Sequence, residues 1–248
     1  MVACTATLLA GSVLLALSHV ATAAGAGLAL ALLLLLARRS GSRAAVDASF
    51  LTLLLYFAVG SHILGLWPLP GVAAVLVASQ LARRTPRAEL WHTWLQRGRR
   101  TPELPWLLVL IVVVTTSALV LWQHLFDGRP PQAYVDAAAG RPLWLLIVAG
   151  VGFSLVNAAV EEAVFRGVLQ TALQEVAGPV VAVVVQAVAF GTLHVVGVPT
   201  GIVGAVMAGS WGLLLGLIRW RTRGLLAPYA AHVAADATIF CLLLPALR

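Results

Sequence analysis

Three ionisable residues lie in the segment NAAVEEAVFRGVLQ, residues 157–170, which otherwise has the composition of a membrane-spanning helix. A charge in hydrocarbon costs about 2.5 kcal/mol or more, so such residues need a structural or chemical reason. Glu162 and Arg166 are four residues apart, which places them on one helix face and predicts an ion pair. Glu161 projects from a different row and has no such cation in its own helix. An unpaired carboxylate facing a protein interior is a candidate general base.

Polar residues at helical spacing recur in two later apolar segments. Gln186, Phe190 and His194 follow one another at intervals of four residues, and His232 and Asp236 are also four residues apart. Residues at this spacing share a helix face. Each later segment therefore presents a histidine with a defined neighbour.

A turn at residues 178–179 would bring the first two of these segments together, because Gly-Pro breaks a helix. Glu161 lies 17 residues before Gly178 and His194 lies 16 residues after it. In an antiparallel hairpin the two side chains would then lie at nearly the same depth. His232 follows the basic loop 219–223 closely and falls in the same half of the membrane. We predict that Glu161, His194 and His232 converge in one cavity.

Each residue taken alone has a simpler structural explanation. Ion pairing accounts for Glu162, a single buried His194 is often a hydrogen-bonded core residue, and His232 could join helices through Asp236. Glu161 is harder to explain in this way, since intramembrane carboxylates usually mark a transport pathway or an active site.

The composition is that of an integral membrane protein. The chain has 248 residues, of which 61% are hydrophobic and 10% are charged, and its mean hydropathy is +0.98. All 16 basic residues are arginines, mostly in short loops, which favours contacts with lipid headgroups over binding of nucleic acid. Cys4 and Cys241 lie far apart with no CxxC motif, which predicts neither a disulfide framework nor a thiolate metal site.

The apolar runs predict an all-α, polytopic membrane helical bundle of about eight transmembrane helices. The arginine-rich segment 83–103 is interpreted as a cytoplasmic interfacial helix with a linker. It divides an N-terminal membrane module, residues 1–103, from a second membrane domain, residues 104–248. Residues 127–141 are predicted to form a polar loop.

The basic loops predict the orientation of the chain. Residues 38–43, 83–100 and 219–223 are all rich in arginine and are expected in the cytoplasm. The cavity is therefore expected to open toward the cytoplasm. We expect the location to be a bacterial plasma membrane.

The three motifs together resemble those of the CPBP family, which includes the CAAX prenyl endopeptidases and the bacterial Abi proteins. EExxxR lies at Glu161–Arg166, FxxxH at Phe190–His194 and HxxxD at His232–Asp236. The resemblance covers roughly residues 104–248, and the N-terminal third shows no such match. This family is regarded as one of intramembrane proteases, so the resemblance implies an intramembrane endopeptidase.

The resemblance also implies roles for residues of the first two motifs. Glu161 and His194 would activate a water molecule for attack on a peptide bond. Glu162, Arg166 and Phe190 would support the site structurally.

The third motif departs from the family pattern. His232 and Asp236 would correspond to the residues that stabilise the oxyanion, but many members have Asn at the second position. An ionised Asp would repel an oxyanion. Asp236 must therefore be protonated, or it must orient His232 by accepting its other N–H.

The family has also been considered metal-dependent. Zinc would use Glu161, His194 and His232 as ligands. We nevertheless expect no tightly bound metal or other cofactor, since Glu162 is paired and no second carboxylate would be left as general base. The chain has no HExxH motif.

The expected partners are membrane lipids and a protein or peptide substrate that is prenylated or carries another hydrophobic tail. Two other classes of function compete, a proton-coupled transporter and a non-catalytic membrane scaffold or immunity protein. The transporter would be expected to have an inverted second set of polar residues, which the chain lacks. A shared water-sized gap between Glu161 and His194 favours a protease, whereas neutralisation of both glutamates by Arg166 favours a scaffold.

Overall fold

The computed structural model describes residues 20–39, 41, 43–60, 67–83, 96–99, 101–126, 128–195 and 197–247. Every regular element in this part of the chain is helical, which confirms the all-α prediction there. Its α-helices are α1 (Val20–Arg39), α2 (Arg43–Gly60), α3 (Leu69–Arg83), α4 (Leu104–Phe126), α5 (Gln132–Ala138), α6 (Leu143–Glu161), α7 (Gln170–Leu193), α8 (Gly201–Thr222) and α9 (Leu226–Leu243). A π-helix, Glu162–Leu169, joins α6 to α7, and a 3-10 turn, Leu244–Leu247, follows α9.

Four helical stretches are long and apolar enough to cross a membrane. They are Leu104–Phe126, Leu143–Glu175, Gly201–Thr222 and Leu226–Leu247. Two shorter apolar helical stretches are Leu69–Ala78 and Ala177–Leu193. The described residues support a membrane helical bundle, and the total of about eight spans stays a prediction.

Two predicted segments differ from the structure. The predicted loop 127–141 contains the short helix α5, which begins after Pro131, where the Tyr134 N–H donates to the Pro131 carbonyl oxygen at 2.9 Å. Helix α7 ends at Leu193 instead of continuing to residue 198. His194 is thus the residue that follows the helix, with φ −79° and ψ 1°. The predicted interfacial helix within 83–103 falls mostly outside the described residues.

Gly178 divides α7 into two arms. Its φ of 81° and ψ of 169° suit glycine, and Pro179 then removes a helical N–H. Arg166 lies 12 residues before Gly178 and Phe190 lies 12 residues after it, yet the Arg166 Cζ atom is 4.4 Å from the centroid of the Phe190 ring. The chain must fold back on itself at Gly178, which confirms the predicted hairpin.

The π-helix lies inside an apolar core that draws on distant parts of the chain. All eight of its residues are buried. The core cluster combines Val164, Phe165 and Val168 with residues of α2 and α3, namely Ala48, Leu51, Leu55, Ala74 and Ala78. Helices from the N-terminal third therefore help to shield the charged segment from lipid and water.

Helices α7 and α8 approach each other through glycines. A Cβ atom on Gly191 would lie 2.6 Å from the Ala205 carbonyl oxygen and 2.9 Å from the Gly209 Cα atom. At the same interface the Gln186 side-chain amide donates to the Gly212 carbonyl oxygen at 2.8 Å. The glycine-rich composition of residues 202–218 permits this close packing.

Two of the arginine-rich segments lie side by side. The Arg99 N–H donates to the Thr222 carbonyl oxygen at 2.6 Å, and the Leu225 N–H donates to the Gln96 carbonyl oxygen at 2.8 Å. The linker before α4 and the turn after α8 are therefore on the same side of the bundle, as the predicted topology requires.

We expect Gly191→Ala to lower the thermal stability of the purified protein, because the new methyl group would overlap the α8 backbone, at a cost of about 1–3 kcal/mol. Gly152→Ala is the matched control, since a Cβ there meets no heavy atom within 4 Å and alanine favours a helix over glycine. Thermal unfolding in detergent should rank Gly152→Ala at or above wild type and Gly191→Ala below it. An unchanged midpoint for Gly191→Ala would contradict the close helix packing.

Candidate active site

Glu162 connects the first motif to the third. Its Oε1 accepts a hydrogen bond from Arg166 Nη1 at 2.8 Å and another from His232 Nδ1 at 2.7 Å. The Glu162 and Arg166 side chains are 1% and 0% exposed. The predicted ion pair is confirmed, and it has an additional partner, because the same carboxylate oxygen also holds the imidazole on α9.

Arg166 is enclosed as completely as its partner. Its guanidinium faces the Phe190 ring at 4.4 Å, a cation–π distance. Within the described residues, Arg166 Nε and Nη2 have no hydrogen-bond partner. The buried charge of Arg166 is therefore compensated mainly by Glu162 and the Phe190 ring.

His232 lies among three carboxyl groups. With Nδ1 directed at Glu162, its Nε2 is 3.4 Å from Glu161 Oε2 and 3.7 Å from Asp236 Oδ1. The second distance exceeds that of a hydrogen bond. Glu162, rather than Asp236, therefore orients the ring, which differs from one of the two roles expected for Asp236. Glu161 thus has a neighbour on α9, the His232 ring, which the residues of its own helix did not indicate.

Asp236 is held by a residue from the end of α6. Asn157 Nδ2 donates to Asp236 Oδ2 at 2.9 Å, and Asn157 Oδ1 accepts from the Trp67 indole N–H. Sequence analysis missed both Asn157 and Trp67 as members of the site. Asn157 carried a weak signal, as a polar residue one turn before Glu161, whereas Trp67 carried none.

His194 is fixed through one nitrogen and leaves the other available. Its Nδ1 lies 2.9 Å from the Phe190 carbonyl oxygen, and a carbonyl can only accept, so Nδ1 is the donor. In the neutral ring Nε2 is then unprotonated. The His194 ring also packs against the Phe190 ring, with centroids 4.6 Å apart.

One cavity of about 990 Å³ brings the predicted residues together. Glu161, His194, His232 and Asp236 all line it, and its wall is mainly apolar. Their predicted convergence is thus observed, while their catalytic roles and the direction in which the cavity opens stay predictions.

Tyr134, on α5, also lines this cavity. Its hydroxyl donates to the Trp67 carbonyl oxygen at 3.0 Å, and its ring meets Phe153 edge to face. Burial raises the pKa of the Tyr134 hydroxyl, and the negative charge of Glu161 raises it further. Tyr134 therefore stays a neutral donor at physiological pH.

Glu161, His194 and His232, the residues that zinc would use as ligands, all line the cavity. Among the described residues, no group of three or more His, Cys, Asp or Glu side chains is arranged to hold a metal ion. Glu162 holds Nδ1 of His232 and the Phe190 carbonyl holds Nδ1 of His194, so a metal would have to bind these rings through their Nε2 atoms. The absence of a tightly bound metal or other cofactor stays a prediction for experiment.

The site thus combines helices of spanning length with an enclosed glutamate–histidine cluster beside a cavity. Residues 142–238 match the family model described as "Type II CAAX prenyl endopeptidase Rce1-like". The match includes all three motifs and confirms the resemblance to the CPBP family, so this segment is an Rce1-like domain. No curated protein and no solved structure was found to match the chain.

We expect Arg166→Gln to reduce the folded yield sharply, because it removes the cation of a buried ion pair and leaves Glu162 with His232 alone, at a cost of about 3–5 kcal/mol. Arg221→Gln, at an exposed position on α8, is the matched control and should keep the wild-type yield. Fluorescence-detected size-exclusion chromatography measures both. Wild-type yield and melting temperature for Arg166→Gln would argue against a structural role of the pair.

Proposed function

We propose that the protein is an intramembrane endopeptidase in which Glu161 is the general base. The observation that carries the proposal is the unequal environment of the two adjacent glutamates. Glu162 is held by Arg166 and His232 through one oxygen, whereas Glu161 lines the cavity and is 15% exposed. Among the described residues, no ion pair joins Arg166 to Glu161. A carboxylate that is buried yet reachable from a cavity is suited to accept a proton from water.

His194 supplies the second contact to this water. Because its Nδ1–H donates to the Phe190 carbonyl, its Nε2 can accept a hydrogen bond from a water molecule in the cavity. The water oxygen attacks the peptide carbonyl carbon while Glu161 takes the proton. When the tetrahedral intermediate collapses, the peptide C–N bond breaks and Glu161 returns that proton to the leaving amine nitrogen, which completes the hydrolysis.

His232 and Asp236 stabilise the negative charge that develops on the carbonyl oxygen. With Nδ1–H fixed on Glu162, the protonated His232 ring presents Nε2–H for donation to the oxyanion. Asp236 Oδ2 already accepts from Asn157. A protonated Asp236 therefore presents its Oδ1–H as a second donor.

The shape and lining of the cavity support a substrate with a large apolar part. About 990 Å³ with mainly apolar walls exceeds the space that a peptide bond needs. A membrane-associated protein or peptide with a prenyl group or another hydrophobic tail fits this description, in keeping with the CAAX class of the matched family.

We expect Glu161→Gln to lower kcat by roughly 10²–10⁴-fold, since glutamine cannot take the proton from water. The probe is an internally quenched peptide with a farnesylated CAAX end, assayed with the purified protein in liposomes. Glu103→Gln makes the same change at an exposed position outside the cavity lining and should keep wild-type turnover. Wild-type turnover by Glu161→Gln would exclude Glu161 as the base.

We also expect cleavage of the same probe to survive exhaustive chelation. In the proposed mechanism Glu161, His194 and His232 all act without a bound metal. Elemental analysis in parallel should find less than stoichiometric zinc. Loss of activity on chelation, with recovery on adding zinc, would make these three residues metal ligands.

A further inference from the structure

A chain of hydrogen bonds reaches the site from a residue far outside the matched segment 142–238. The Trp67 indole N–H donates to Asn157 Oδ1, and Asn157 Nδ2 donates to Asp236 Oδ2 at 2.9 Å. Trp67, Asn157 and Asp236 all line the cavity. Trp67 belongs to the segment between α2 and α3, in the N-terminal third of the chain.

The direction of these bonds follows from the chemistry of the indole. An indole nitrogen can only donate, so the Asn157 atom facing Trp67 must be the oxygen. The amide nitrogen is then directed at Asp236 and can only donate to it. The hydrogen bond from Trp67 therefore fixes the orientation of the Asn157 side-chain amide.

This choice matters for the proton on Asp236. The C=O oxygen of a carboxyl group is a better acceptor than its O–H oxygen. The N–H donated to Oδ2 therefore favours the hydrogen of a protonated Asp236 on Oδ1, the oxygen nearer to His232 Nε2. A flipped Asn157 amide would present its oxygen instead. It would then accept the Asp236 hydrogen at Oδ2 and turn it away from His232.

Trp67 is itself held in place by its neighbours. Its carbonyl oxygen accepts from the Tyr134 hydroxyl at 3.0 Å. A Cβ on Gly71 would lie 2.7 Å from Trp67 Cη2 and 2.7 Å from Val160 Cγ1, so a glycine is needed between the indole and α6. The indole is thus confined between α3 and α6.

We propose that Trp67 is a positioning residue, which acts through Asn157 to hold Asp236 with its donor directed toward the oxyanion. The inference depends on the proposed function for its kinetic consequence, but the hydrogen-bond chain itself does not. It assigns a task in the site to the N-terminal third of the chain, which carries none of the three motifs.

The kinetic test must separate the indole N–H from the bulk of the ring, because Trp67 also packs against the core. Trp67→Phe removes the donor and keeps most of the ring. We expect kcat on the farnesylated probe to fall about tenfold, with KM within about twofold of wild type, as for other residues that orient catalytic groups. Trp122→Phe is the matched control, since Trp122 is buried but does not line the cavity.

A double-mutant cycle shows whether Trp67 acts through Asn157. If it does, Trp67→Phe combined with Asn157→Leu should be no slower than Asn157→Leu alone, within about twofold. If the two effects on kcat multiply, Trp67 acts independently of Asn157 and the proposal is wrong.

A measurement without substrate separates failure of this inference from failure of the proposed function. In protein labelled with 15N-tryptophan, the Trp67 indole N–H resonance is identified by its loss in Trp67→Phe. It should shift in both Asn157→Leu and Asp236→Asn, while the Trp122 resonance stays in place. If the chemical shift of the Trp67 indole N–H does not change in Asp236→Asn, the proposed hydrogen-bond chain is wrong. Absence of Glu161-dependent cleavage overturns the proposed function instead, and the spectra still decide whether the hydrogen-bond chain from Trp67 to Asp236 exists.

Discussion

The buried carboxylate of Glu162 is the constraint on which the rest of the site depends. A carboxylate removed from water is tolerated only when charges and hydrogen bonds compensate for the lost hydration. Here a single oxygen accepts from Arg166 at 2.8 Å and from His232 at 2.7 Å. Since one partner lies on the π-helix and the other on α9, satisfying Glu162 fixes these two elements relative to each other. Glu161, the preceding residue, is placed by the same contact.

Phe190 extends this constraint to the other arm of the hairpin. Its ring lies 4.4 Å from the Arg166 guanidinium, and its centroid is 4.6 Å from that of His194 and 5.9 Å from that of His232. One aromatic side chain therefore contacts the cation of the first motif and both histidines. The reversal of chain direction at Gly178 brings Phe190 to Arg166 and thereby assembles the site. Gly191, the next residue, lets α8 close over this arrangement.

Local spacing predicted much of this site, and it failed where a contact depends on tertiary structure. The i, i+4 rule found the Glu162–Arg166 pair, but it considers only one helix and could not show that His232 binds the same oxygen. The π-helix left no pattern in the sequence, since wide turns of this kind are short and local. Trp67 lies 90 residues before Asn157, and no periodicity links them. Helix α5 was not predicted because Pro130 and Pro131 before it and Pro142 after it are typical of loops.

The packing of α2 and α3 against the π-helix agrees with the same electrostatic constraint. A charged cluster within a membrane must be enclosed by protein, because exposure to lipid would leave its polar groups without hydrogen-bond partners. Part of that cover is formed by α2 and α3, whose buried residues belong to the same core as the π-helix. The family match begins only at residue 142, so in this chain the matched segment obtains part of its apolar enclosure, and one hydrogen bond to Asn157, from residues outside it. The boundary predicted at residue 103 reflects a change in composition, whereas the packing around Glu162 crosses it.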